Sequence, residues 1–212
     1  MKDALLIKTV TGVNADGVTE GATVPIRAGL ICEPARAGAL RIIDAEGLYA
    51  LPGFIDVHIQ GAGGYDLSDP DPRAIPAVLS TCARFGVTAL LATTIYRTDG
   101  ANAHLPRLAA EVEEPRPGCS RVLGLHIEGP FLSLEKQGMI FSEYITDVEP
   151  GLLDEILELC GGRLKMMTIA PERPGALAAV GRLVQAGVTA SFGHSNATYE
   201  ETCAGIDAGI TH

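Results

Sequence analysis

The stretch Val122-Leu123-Gly124-Leu125-His126-Ile127-Glu128-Gly129-Pro130 decides how the rest of this chain is read. Residues 122–127 form a nearly continuous apolar run, the pattern of a strand covered on both faces in a parallel sheet. His126 and Glu128 fall on one face at a spacing of two, and Gly129-Pro130 ends the strand at once. A carboxylate at the tip of so apolar a strand is expensive to bury unless a metal ion or a set of donors compensates it. The plainer alternative is a Glu turned outward to solvent.

The same unit recurs on both sides. Apolar, β-branched runs lie at 53–59, 87–94, 164–169 and 188–192, with helix-like stretches at 72–85, 101–112, 150–160, 176–186 and 198–208. In the third of these, Leu152, Leu153, Ile156 and Leu157 form a helical stripe. Two helix-to-strand joints nearly repeat, Phe85-Gly86-Val87-Thr88 and Ala186-Gly187-Val188-Thr189, and a third begins at Ala208-Gly209-Ile210-Thr211. Each puts glycine where a helix end needs a left-handed residue. Successive strand–helix units imply a parallel sheet, either doubly wound or closed as a barrel. Polar residues gather at the ends of several different strands, which favours a (β/α)8 TIM barrel with its site at that face. Gly61-Ala62-Gly63-Gly64 matches neither phosphate-loop pattern.

The first fifty residues differ. Short strands at 4–10, 23–27 and 40–44, with turns at Asn14-Ala15-Asp16-Gly17 and Glu46-Gly47, describe a small β element. The expected organisation is therefore β at 1–50 and barrel at 51–212. Five barrel strands and the start of a sixth at 209–212 fit in the second part, so the α/β barrel is expected to be incomplete.

Sixteen Lys and Arg against 26 Asp and Glu leave a net charge of −10. That balance argues against a nucleic acid or an anionic membrane as partner. No apolar run approaches a membrane span, and the start MKDALLIKTVTG lacks a signal-peptide core. Cys32, Cys82, Cys119, Cys160 and Cys203 are odd in number and unpaired in spacing, and are expected to be buried free thiols. A cytoplasmic protein is the expectation.

Two further constellations could carry chemistry. In Asp56-Val57-His58-Ile59-Gln60-Gly61, alternation places Asp56, His58 and Gln60 on one face, either toward a site or as a satisfied strand end. In Ser191-Phe192-Gly193-His194-Ser195-Asn196, Gly193 turns the backbone and presents His194, either as a zinc ligand or as a helix cap. Carboxylate and imidazole groups at one end of different parallel strands suit a hydrolytic metal site. His104, in a helical stretch, is expected at the surface. Lys165 opens its strand and is poorly placed as a ligand. Ser195 lacks the nucleophile-elbow pattern.

At these residues the chain resembles the amidohydrolase superfamily and, within it, the N-acetylglucosamine-6-phosphate deacetylases. Pro52-Gly53-Phe54-Ile55-Asp56-Val57-His58 is the widely shared part; Gly124-Leu125-His126-Ile127-Glu128-Gly129-Pro130-Phe131-Leu132, Ala170-Pro171-Glu172 and Gly193-His194-Ser195-Asn196-Ala197-Thr198 are more specific. The resemblance implies a (β/α)8 barrel with a small β-sandwich built from both chain ends. It also implies a divalent ion, zinc as a rule, held by Glu128, His194 and a His on the next strand. Water then attacks the acetamide of an amino sugar phosphate, releasing acetate. A barrel-end Asp serves as base and then acid, and the family works as a homodimer with phosphate bound partly across subunits.

Three positions depart from that pattern. The superfamily's paired histidines read His58-x-Gln60 here, so one main metal is expected, with His58 supporting a weaker second site. The stretch Lys136-Gln137-Gly138-Met139-Ile140 puts Ile140 where the family's Lys-x-Gly-Ala-His carries its sugar-contacting His, with Met139 just before it, and these two are the expected substrate contacts. By register His212 is the non-ligand His of the last motif, so the third ligand and the catalytic Asp are expected beyond residue 212. The expectation is thus the N-terminal part of a deacetylase, inactive by itself. Another metal-dependent amidohydrolase, such as a cyclic amide hydrolase or deaminase, and a non-catalytic truncated paralogue are the alternatives.

Overall fold

Two hydrophobic periods build this chain, alternation in the first fifty residues and strand–helix repeats afterwards. The structure is a computed structural model and describes residues 4–33, 41–112, 114 and 116–212. It divides into two units, Met1–Gly53 and Phe54–His212.

In the first unit, β1 (Ala4–Asn14) and β2 (Gly17–Arg27) form an antiparallel hairpin. Asn14 closes its turn by accepting the Asp16 N–H through Oδ1 at 2.9 Å, an Asx turn. Next come β3 (Leu30–Ile31), β4 (Arg41–Asp44) and β5 (Tyr49–Ala50). The sheet order is β3-β2-β1-β4, with β5 also beside β1, and both β4 and β5 run parallel to β1. Leu40, the expected first residue of the fourth strand, lies outside the described residues. Leu30, Ile31, Tyr49 and Leu51 are exposed, and an apolar hollow of about 550 Å³ lies among Ile7, Val24, Ile26, Ile31 and Leu51.

The second unit opens with β6 (Phe54–Ile59) and a short hairpin of β7 (Gly61–Ala62) and β8 (Tyr65–Asp66). It continues as α1 (Ala74–Arg84), β9 (Val87–Thr94), α2 (His104–Ala110), β10 (Arg121–Glu128), α3 (Leu152–Leu159), β11 (Leu164–Ile169), α4 (Ala176–Gln185), β12 (Thr189–Phe192) and α5 (Tyr199–Ala208). The long strands lie in the order β12-β11-β10-β9-β6, every pair parallel. Each strand sits beside its predecessor, whereas a doubly wound sheet reverses at a switch point. Sequential order is the barrel solution, and among the described residues five strands of it are present. The sixth position is begun by Ile210, which bridges Ala190 in parallel.

The helices bury the stripes their sequences announce. In α1, Ile75, Val78, Leu79 and Cys82 are buried, and in α4, Ala176, Ala179, Val180 and Leu183; both sets are spaced i, i+3, i+4, i+7. Gly86 and Gly187 end α1 and α4 with φ of +85° and +72°, a state that costs glycine little and other residues more. Thr198 starts α5 with a capping box, its hydroxyl accepting the Glu201 N–H and the Glu201 carboxylate accepting the Thr198 N–H. Leu90, Leu125, Ile127, Met167 and Ile169 sit fully buried in the central strands. Among the described residues, no helix is long and apolar enough to cross a membrane.

Two surface and burial expectations need correction. His104 is buried, not at the surface: it opens α2 under the loop after β9 and donates Nε2–H to the Ile95 carbonyl at 3.0 Å. Of the five free thiols only Cys82 and Cys160 are buried, while Cys32, Cys119 and Cys203 are half-buried. Burial pushes the Cys160 thiol up to about 12, which makes it inert.

Candidate metal centre

Parallel strands deliver their last side chains to a common rim, so groups far apart in sequence can meet there. Glu128 is the last residue of β10 and is only 7% exposed. Both of its oxygens are engaged: Gln60 donates Nε2–H to Oε2 at 2.5 Å, and His194 Nε2 stands 2.9 Å from Oε1. His58 Nε2 lies 3.4 Å from that same Oε1. The outward-facing Glu is therefore excluded. His58 and Gln60 come from the end of β6 and His194 from just past β12, so three strand ends converge on one carboxylate.

His194 is placed with care. Its φ is +49°, a left-handed state that costs a non-glycine residue roughly 1–3 kcal/mol and persists only when the surroundings enforce it. Its Nδ1 lies 2.7 Å from the Lys136 carbonyl, and its own carbonyl accepts the Ser133 N–H at 2.9 Å. A carbonyl only accepts, so Nδ1 carries a proton, and Nε2 is the nitrogen that faces Glu128. Gly138 permits the approach: a Cβ there, at φ +59°, would lie 3.1 Å from His194 Cε1.

The donor chemistry suits a divalent cation of the zinc type, a carboxylate oxygen with an imidazole nitrogen whose other nitrogen is tied to a backbone carbonyl. Among the described residues no group of three His, Cys, Asp or Glu side chains is by itself arranged to hold a metal ion. Glu128 and His194 are the two well-placed donors, with His58 farther out.

His126 behaves differently from the other histidines. It is 1% exposed, donates Nδ1–H to the Val57 carbonyl at 2.9 Å and accepts from Thr168 Oγ1 at Nε2, 2.8 Å away. Burial is the main cause holding its pKa down at about 4, with His58 adding to the effect. The ring is therefore neutral at pH 7 and packs edge-on to His58, centroids 4.9 Å apart. It ties β6, β10 and β11 together at the rim.

A cavity of about 520 Å³ opens over Glu128, lined by His58, Gln60, His194, Ile95, Met139, Ile140 and Phe141. Met139 is 96% exposed and Ile140 only 8%. Asp56 stays out of this cluster and accepts the His58 N–H at 3.0 Å. Lys165 is exposed near the start of β11. His212 Nδ1 bonds Ser191 Oγ at 2.8 Å. Ser195 donates to Glu172 at 2.7 Å and has no His partner. The Lys136 carbonyl has no sequence signature, since any residue supplies one. Gln60 was legible as a face-mate of His58, but not as a donor to Glu128.

With this geometry in view, residues 49–212 match the amidohydrolase family. The chain belongs to that family. It is 33% identical over 211 residues to the N-acetylglucosamine-6-phosphate deacetylase of Lysinibacillus sphaericus, covering 98% of this chain and 54% of that protein. It is 35% identical over 159 residues to the N-acetylgalactosamine-6-phosphate deacetylase of Escherichia coli O157:H7, covering 74% and 42%. A variant of the Mycobacterium smegmatis N-acetyl-D-glucosamine-6-phosphate deacetylase, solved with N-acetyl-D-glucosamine 6-phosphate, superposes with a TM-score of 0.83 at 32% identity, covering 99% and 54%. The Pasteurella multocida N-acetylglucosamine-6-phosphate deacetylase gives 0.84 at 26% identity, covering 98% and 55%. The chain thus spans about half the length of the curated relatives it matches.

Proposed function

We propose that the protein carrying this chain removes the acetyl group from an N-acetylated amino sugar phosphate, with N-acetylglucosamine 6-phosphate as substrate, giving glucosamine 6-phosphate and acetate. The observation that carries the reading is His194 Nε2 standing 2.9 Å from Glu128 Oε1 inside a cavity of about 520 Å³. Relatives named as deacetylases of two such sugar phosphates support it.

Amidohydrolases are metal-dependent enzymes. Glu128 and His194 would hold one divalent cation, zinc by donor type, with His58 supporting a second, weaker position and a further ligand coming from the strand that Ile210 begins. Such an ion supplies Lewis-acid polarisation of an amide carbonyl and makes water nucleophilic at neutral pH. The chain's own residues do the positioning. Gln60 occupies Glu128 Oε2 and leaves Oε1 to face His194 and His58. The Lys136 carbonyl fixes the His194 tautomer, and neutral His126 locks the strand ends without adding charge. Ile140 and Met139 would contact the sugar, Ile140 as an apolar wall. The general base would come from outside residues 1–212.

The same proposal takes residues 1–50 as part of a small β-sandwich, which the exposed apolar residues and hollow of the first sheet support, and 51–212 as part of the catalytic barrel. It takes the whole protein as a homodimer. Five free thiols support a cytoplasmic setting.

The test on the zinc-loaded whole protein is acetate release from N-acetylglucosamine 6-phosphate and from N-acetylgalactosamine 6-phosphate, beside ring opening of a hydantoin. Chelator-sensitive release from the first is the expected result. Turnover of the hydantoin alone would assign a cyclic amide hydrolase.

A further inference from the structure

Glu172 stands just beyond β11, and both of its carboxylate oxygens face the turn that follows β12. Ser195 Oγ donates to Oε2 at 2.7 Å and the Asn196 N–H donates to Oε1 at 2.7 Å. Ser195 Oγ in turn accepts the Ala197 N–H at 3.0 Å. The Glu172 side chain thus bonds the two residues directly after His194, and Ser195 extends the tie to Ala197. On the opposite side, the Ser133 N–H and the Lys136 carbonyl hold His194 itself.

Glu172 does not line the cavity that holds His58, Glu128 and His194. Nor does α5 need it to begin, because Thr198 and Glu201 complete that helix start between themselves. What does need support is the left-handed backbone of His194, a state that ordinary local preference does not keep. A carboxylate suits the task better than an amide, since it accepts both bonds at once and asks for no donor partner.

We propose that Glu172 is a positioning residue: it ties the turn after β12 to the end of β11 and so aims His194 Nε2 at Glu128. This deepens the metal-dependent reading and rests on it. Glu172 touches neither cation nor substrate, and its effect passes through the placement of His194. Held this way, His194 meets a cation already oriented; released, it must be ordered at the moment of binding.

The experiment compares Glu172→Ala, Glu172→Gln and Ser195→Ala with the unaltered protein. Three readouts are taken: Zn2+ affinity by competition with a chromophoric chelator, the unfolding midpoint without metal, and the His194 Nδ1–H signal in imidazole NMR. Glu172→Ala is expected to weaken Zn2+ binding by about 10–100-fold, the range typical of residues that orient ligands, and to abolish the protected Nδ1–H signal. Glu172→Gln, which keeps one accepting oxygen, should recover part of both. A lowered midpoint with Zn2+ affinity and the NMR signal unchanged would make Glu172 a purely structural tie and overturn the proposal. If the unaltered protein fails to bind Zn2+, the metal-centre reading falls, and the NMR signal alone then judges Glu172. Should Glu172→Ala not fold, Glu172→Gln, which replaces one accepting oxygen, and Ser195→Ala, which removes the hydroxyl's bonds to Glu172 and to the Ala197 N–H, give the same comparison.

Discussion

His194 Nε2 and Glu128 Oε1 meet at 2.9 Å although β11 lies between the strands that carry them. In a flat sheet, strands two apart are separated by roughly 9–10 Å. The contact therefore depends on an inward curl of the sheet and on long side chains at its rim. The same holds across β9, where Gln60 and His58 reach Glu128 from β6. Glu128 collects partners from both directions because its strand is the middle one of five.

Replacing Glu128 by Gln should cost the most at the site. The amide keeps the shape but cannot serve as an anionic donor, so Zn2+ affinity is expected to fall by more than about 100-fold, beyond the range seen for residues that only orient ligands. Competition with a chelator measures it. Undiminished Zn2+ binding would remove Glu128 from the ligand set.

Gly138→Ala probes the approach of two segments. A Cβ at φ +59° is strained, and it would press on His194 Cε1 from 3.1 Å. We expect a stability loss of about 1 kcal/mol in chemical denaturation together with weaker Zn2+ binding. A loss of stability with Zn2+ affinity intact would show that the His194 ring shifts without consequence.

The cavity wall separates two neighbouring residues. Ile140 is buried and Met139 is almost fully exposed. On the deacetylase proposal, Ile140→Ala in the protein carrying this chain should raise KM for N-acetylglucosamine 6-phosphate about tenfold, while Met139→Ala, at an exposed rim contact, should stay within about twofold, as surface changes do. Steady-state kinetics on both variants checks this, and the reverse order would make Met139, not Ile140, the main contact of the sugar.

His104 predicts a pH dependence of stability. Burial is the main cause that holds its pKa below the ordinary value of 6.5, with Arg107 and Arg97 adding to the effect. In the unfolded chain His104 takes up a proton as pH falls through about 6.5; in the folded protein it does so only at lower pH. The unfolded state then binds more protons, so this contribution is complete above pH 6.5 and declines as pH drops toward the folded value. His104→Gln should flatten that part of the stability profile, measured by denaturant unfolding from pH 7.5 to pH 5, both about one unit or more from the midpoint. An unchanged slope would show that His104 does not contribute.

Much of this was legible along the chain. Residues 87–94 and 164–169 read as strands, and β9 and β11 have those bounds, because strands buried on both faces need long apolar runs whatever surrounds them. The stripes of α1 and α4 and the glycines ending those helices follow from local geometry in the same way. His58, Glu128 and His194 were legible as polar residues where strands end. His104 was misread because a polar residue in a short helix usually faces water, and only the loop after β9, folding over it, offers the Ile95 carbonyl.

The sequence by itself determined the kinds of element, their order and the few polar groups worth the expense of burial, because these depend on period, glycine placement and side-chain chemistry within a few residues. Tertiary structure decided the rest. It set the sequential strand order that makes a barrel wall, the burial of His104, and the division of Glu128 between Gln60 and His194. It also paired Glu172 with the turn after His194 and assigned the Lys136 carbonyl to the imidazole. Each of these joins groups far apart in the chain, and no local preference distinguishes the backbone carbonyl or strand neighbour that long-range packing selects.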